Sequence, residues 1–243
     1  MLLHEISKKA STYLGYHDTL SNKIWDGDQL KPEVYDALVR IAKEFILTLK
    51  VSDSQQIVDV IITGSLCNYN YTKYSDIDLH IILDYSELCD DCQSFDLDDC
   101  MKAKKSLWNE RHDITIYGRD VELYAQDKSE TITGNAGIYS IKNKAWVQRP
   151  TKEEAIDYGD RAIMDKAKHV MYEIDAFVDE QSDDKEGIEK LKDKIKNMRK
   201  AGLERAGEFS IENLAFKVLR NSGYIEKLHD YALDAVDDSL SLE

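Results

Sequence analysis

The sequence predicts an α/β (α+β) fold: a mixed β-sheet head with flanking helices, followed by a C-terminal helical bundle. Three observations predict it. The runs IVDVIIT and IDLHIIL are β-branched, apolar and of strand length. A segment ahead of them carries apolar residues at helical spacing, so a helix can cover the sheet. After Pro150 the apolar residues follow the helical period to the end. The expected domains are therefore residues 1–150, with the sheet and the N-terminal helices, and residues 151–243, with the bundle.

Residues 2–20 read as weakly helical, and WDGDQLKP as a turn. Pro32 suits the first turn of a helix, in which Val34, Leu38, Ile41, Ala42, Phe45, Ile46 and Leu49 form the stripe that packs on the sheet. Val58, Val60, Ile61 and Ile62 then make a buried strand that stops at Thr63-Gly64. Glycine permits a sharp turn and close approach of a ligand. Ser65 reads as a helix N-cap whose neighbouring amides face an anion.

In the next strand Asp76, Asp78, His80 and Ile82 share one face, and Ile77, Leu79, Ile81 and Leu83 the other. The α-carbons of Asp76 and Asp78 are expected roughly 6.5 to 7 Å apart. Their side chains can then converge on two divalent cations about 3.5 to 4 Å from each other, the separation used for displacement at phosphorus. Like charges so close call for a cation. A phosphate-binding turn, ten intervening residues and a two-carboxylate strand describe a nucleoside triphosphate site.

An acidic loop follows, then a helix from Leu97 to Glu110 with Met101, Lys105 and Trp108 near one face. DITIYGRDVELYAQD reads as two strands joined by Tyr117-Gly118-Arg119-Asp120, with Glu122, Tyr124 and Gln126 on one face of the second. Ile138 to Ile141 and Ala145 to Val147 form a second hairpin, closed by Pro150. Thr151 and Glu154 make a capping box for a helix with Ile156, Ile163, Val170, Met171, Ile174 and Phe177 inside. A second helix buries Ile188, Leu191, Ile195 and Met198. Ser210 caps a third that runs past Leu214, Val218 and Asn221 to Ile225, Leu228 and Ala232.

The formal net charge of -15 argues against generic binding to long nucleic acids, which requires clustered Lys and Arg. Lys185 to Arg205 departs from that average with eight bases and four acids, a stretch open to RNA contact or to solvent alone. With 42% hydrophobic residues, no membrane-length apolar run and no signal-peptide pattern in MLLHEISKKA, a cytoplasmic protein is expected. Cys89 and Cys92 make a C-x-x-C beside Cys67 and Cys100. A zinc site would need a distant fourth ligand such as His112, and reduced thiols are the plainer reading.

The string G-S-x10-D-I-D, Gly64-Ser65 to Asp76-Ile77-Asp78, resembles the signature of the polymerase-β nucleotidyltransferase superfamily. ITGSLCNYNYTKYSDIDLHIIL, VELYAQD and GIYSIKNKAWVQRP together look like the predicted nucleotidyltransferases of large tailed phages and some bacteria. The resemblance implies a metal-dependent enzyme that moves a nucleoside monophosphate from an NTP to an acceptor hydroxyl. It also implies two Mg²⁺ or Mn²⁺ ions held by Asp76, Asp78 and a third carboxylate, Glu122, with Asp113 and Asp120 as runners-up because strand register is open.

By the same resemblance Gly64, Ser65, Lys73 and Lys217 would bind the nucleotide phosphates, with ATP the expected donor and a small molecule, protein or RNA end as acceptor. Surface exposure is the plainer reading of both lysines. His80 reads as a hydrogen-bonded inner histidine, and Tyr69, Tyr71 and Tyr74 as base-stacking or loop-packing residues. Two alternatives stay open: a catalytically silent nucleotide-binding or antitoxin-like module, and an acidic protein-interaction scaffold.

Overall fold

The computed structural model describes residues 9–49, 56–88, 97–130, 136–152, 160–179 and 184–241. The C-x-x-C of Cys89 and Cys92, and Glu154 and Ile156 of the expected capping box and helix, lie outside them. The chain forms two compact units, Tyr16–Lys152 and Met1–Gly15 with Glu153–Glu243. The N-terminal segment thus groups with the C-terminal helices and not with the sheet. The physical reason is that Ala10, Tyr13 and Leu14 are buried in the helical core. Of the weak N-terminal helix, the described residues contain one 3₁₀ turn, Ala10–Thr12.

In the first unit a two-stranded ribbon, β1 (Trp25–Asp26) and β2 (Gln29–Leu30), precedes α1 (Pro32–Leu49). Strands β3 (Ile57–Thr63) and β4 (Ile77–Leu83) pair antiparallel. Helix α2 (Leu97–Arg111) leads to the hairpin β5 (Thr115–Ile116) and β6 (Arg119–Asp127), and β6 lies parallel to β4. A second hairpin, β7 (Ile138–Ser140) and β8 (Ala145–Gln148), pairs with β3 and completes a mixed sheet of order β5-β6-β4-β3-β7-β8.

Burial along β4 alternates without a break. Ile77, Leu79, Ile81 and Leu83 are buried in a core shared with Val34, Leu38, Phe45, Met101 and Trp108 of the two helices. Asp78, His80 and Ile82 therefore point to the opposite face. The Tyr117-Gly118 turn is tighter than the four residues expected. Both have positive φ, 53° and 71°, the type I′ pattern that matches strand twist, which releases Arg119 and Asp120 to β6.

The free edge of β6 is covered by α2. The Asn109 side chain donates to Leu123 O and accepts from Leu123 N, both at 3.1 Å, and so replaces a neighbouring strand.

The helical unit contains α3 (Asp160–Asp179), α4 (Lys185–Ala206), α5 (Ile211–Asn221) and α6 (Tyr224–Leu240) around an apolar core. The third expected helix is thus two. Gly223, with φ of 80°, breaks it between Asn221 and Tyr224, although Ser210 caps α5 as expected by accepting from Asn213 N. A shallow groove of about 360 Å³ is lined by Lys166, His169, Val170, Lys194, Ile195 and Met198. Its basic side chains already face acids, Lys166 with Glu212 and both Lys194 and His169 with Glu173. Among the described residues no helix is long and apolar enough to cross a membrane.

Candidate metal centre

The sheet register brings the acids together. Asp78 on β4 stands directly opposite Glu122 on the parallel strand β6, and Asp76 precedes β4 by one residue. Ligand oxygens of Asp76, Asp78 and Glu122 all lie within 4.8 Å of one another, on half-buried side chains. An ion bound at 2.1 to 2.4 Å separates its ligand oxygens by at most roughly 4 to 5 Å, so the cluster is compact enough for three oxygens to converge on one hard divalent cation. Asp113 and Asp120, the other candidates for third carboxylate, are exposed and outside the cluster. Two carboxylates at this separation repel by roughly 3 to 4 kcal/mol at the effective dielectric of a half-buried site, so a cation has a large term to offset.

Gly64 is part of the centre by virtue of what it lacks. A Cβ built on it would lie 1.8 Å from Asp78 Oδ2, so the carboxylate occupies the space a side chain would take. Its backbone, at φ 80° and ψ -165°, is in a region open essentially to glycine alone.

The turn that follows differs from the expectation. Ser65 does not cap an α-helix. Ser65–Cys67 is a single 3₁₀ turn, without the aligned peptides that make a helix dipole. The turn is clamped from behind instead: the Trp25 indole donates to Leu66 O at 2.8 Å, and Gly137 N to Cys67 O at 2.9 Å. The amides of Ser65 and Leu66 take no part in its own hydrogen bonds.

The connecting loop is anchored at both ends of the motif. Ser65 Oγ donates to Ser75 Oγ at 2.7 Å, and Thr72 N donates to the same oxygen at 2.9 Å. The buried Arg119 guanidinium donates to Thr72 O and Ser75 O, one residue before Asp76. Tyr71 stacks on His17 at 3.9 Å, and Tyr69 packs against the core, as loop-packing residues do.

Lys73 is exposed and lies over the Tyr74 ring at 4.7 Å. Lys217, on α5, is paired with Glu208 at 2.9 Å. Cys67 is buried, and burial, helped by the charge of Asp78, pushes its thiol well up, which keeps it a neutral core residue. His112 stacks on Trp108 and bonds its carbonyl at 3.0 Å.

Beside the acids His80 is an inner histidine, as expected. Its ring stacks on Tyr124 at 4.5 Å and its Nδ1 donates to Gln126 Oε1 at 2.5 Å. Burial, the larger cause, and the charge of Lys105 lower its pKa and outweigh the Gln126 bond, which raises it. Tyr124 donates to Glu122 Oε2 at 2.6 Å. Burial first, then that bond and the neighbouring carboxylates, raise its pKa, so the phenol stays a donor.

Sequence reasoning missed Trp25, Ser75, Arg119, Tyr124 and Gly137. Only Tyr124 carried a sequence signal, its shared face with Glu122.

No family model matches the chain. No curated protein matches it significantly. Among solved structures, a STING-associated CdnE c-di-GMP synthase from Capnocytophaga granulosa is 13% identical over 86% of this chain and 84% of that one, with a TM-score of 0.21. An alignment at that score carries no argument about this chain.

Proposed function

We propose that the chain is a metal-dependent nucleotidyltransferase of the polymerase-β type that moves a nucleoside monophosphate from an NTP, ATP first among them, to an acceptor hydroxyl and releases pyrophosphate. One observation supports this above the rest. The three carboxylates singled out in the sequence lie within 4.8 Å of one another, beside the glycine that the same motif requires. Asp76, Asp78 and Glu122 would hold one Mg²⁺ or Mn²⁺ near the acceptor, and Asp76 with Asp78 a second. Bound there, the cations supply Lewis acidity to the hydroxyl and neutralise charge on the triphosphate.

The chain's own residues keep the donor oxygens converged before substrate arrives. Asp78 is pressed against Gly64, and Glu122 is held by Tyr124. The amides of Ser65 and Leu66 would grip the β and γ phosphates, joined by the Ser65 hydroxyl once it gives up Ser75 Oγ, while the carbonyls of that turn are engaged on Trp25 and Gly137. Lys73 and Lys217 are the cations proposed for the phosphates. To act, Lys73 would leave the Tyr74 ring, while Lys217 is held by Glu208 within the helical unit. The net charge of -15 favours a small molecule, a protein side chain or one structured RNA end over processive copying of a template.

The test is incubation with each labelled NTP, Mg²⁺ and candidate acceptors. Transfer by wild type that is lost in Asp76→Ala is expected. No transfer in any combination, or undiminished transfer by Asp76→Ala, would defeat the reading.

A further inference from the structure

Tyr124 is the neighbour of Glu122 on the face the two share, and no role for it follows from the motif. Three contacts hold it. Its hydroxyl donates to Glu122 Oε2 at 2.6 Å. Its ring is stacked on His80 at 4.5 Å and 13°, and the Lys105 ammonium lies over the ring at 4.0 Å. His80 is fixed in turn by Gln126, and it is directly opposite Tyr124 in the parallel register of β4 and β6. These contacts set the plane of the ring and direct its hydroxyl at Glu122. A glutamate side chain has three torsions, and pinning one carboxylate oxygen removes most of that freedom.

Resting on the proposed metal-dependent reading, we infer that Tyr124 is a positioning residue of the acidic centre: its hydroxyl presets the Glu122 carboxylate toward the cation shared with Asp76 and Asp78. The stack of His80, Tyr124 and Lys105 is the frame that makes this aim rigid. Glu122 enters the site from a strand different from the one that carries the aspartates, so its angle is not preset by theirs. A hydrogen bond to a ligating carboxylate is the usual means of setting such an angle.

The test is Mn²⁺ binding by electron paramagnetic resonance on the full chain, with Tyr124→Phe, Glu122→Gln and the double variant. Phenylalanine keeps the ring and its stack. The expected result is wild-type binding that weakens by about tenfold in Tyr124→Phe, with little further loss when the change is added to Glu122→Gln. A thermal melt of each variant accompanies the titration. Wild-type affinity in Tyr124→Phe, or an equal loss from it in the Glu122→Gln background, would overturn the inference and leave the metal centre standing. No Mn²⁺ bound by wild type would instead overturn the metal-dependent reading.

Discussion

Replacing Gly64 by alanine tests the geometry of the centre without touching a charged group. The added Cβ would stand 1.8 Å from Asp78 Oδ2, and real Cβ contacts essentially never fall below 3.0 Å, so the carboxylate must retreat by at least 1.2 Å. Ligand distances in a working metal site hold to about 0.2 Å, so a shift of that size would take Asp78 out of the proposed cation's ligand set. The loss in cation affinity is then at least the roughly 10- to 100-fold that follows from disturbing a supporting group.

The backbone adds a second cost of roughly 1 to 3 kcal/mol, because φ of 80° with ψ of -165° is strained for alanine. Gly118→Ala separates the two effects. It also puts a side chain at positive φ, 71°, but with nothing within 4 Å of its Cβ. Calorimetric titration with Mn²⁺ and urea unfolding on both variants should give lost stability in each and lost affinity only in Gly64→Ala. If Gly64→Ala bound Mn²⁺ as tightly as wild type, the argument that Asp78 depends on the bare α-carbon would be refuted.

Two further predictions concern the same sheet face and its edge. His80 has its folded pKa lowered by burial, so the unfolded chain takes up a proton first on acidification. Stability from this residue is present above its ordinary value of 6.5 and is lost as pH falls below it. His80→Phe keeps an aromatic ring beside Tyr124, and urea unfolding at pH 7 and pH 5.5 should show a smaller fall for this variant than for wild type. Asn109→Leu takes the side-chain partner from both Leu123 N and Leu123 O on β6. It should cost about 2 kcal/mol in the same assay, and a loss below about 0.5 kcal/mol would mean that water replaces the amide freely.

The acidic pair was legible because a strand has a period of two. Asp76 comes directly before the strand IDLHIIL, so continuing its period back by one residue puts Asp76 and Asp78 on a shared face. Glu122 was legible only as one of three acids. Choosing it required the parallel register Asp78 to Glu122, and register between strands separated by a long connection is set by packing that no local pattern records. The single-helix reading through Ser222-Gly223 failed for a related reason: the apolar stripe continues across the break, and only the left-handed backbone at Gly223 shows that two helices share it.

Residues that hold the site but do not form it were the least legible. Arg119 illustrates why. In sequence it sits in a turn between two short strands, 43 residues after Asp76. In the fold it starts β6, and its buried guanidinium takes the carbonyls of Thr72 and Ser75, the segment that delivers Asp76 to the centre. An arginine in a turn is ordinarily a solvated charge, so nothing local distinguishes this one. The distinguishing fact is the parallel pairing of β4 and β6, which sets the start of β6 beside the loop before β4. One topological choice therefore does two things at once: it brings Glu122 opposite Asp78, and it brings Arg119 under the loop that carries Asp76.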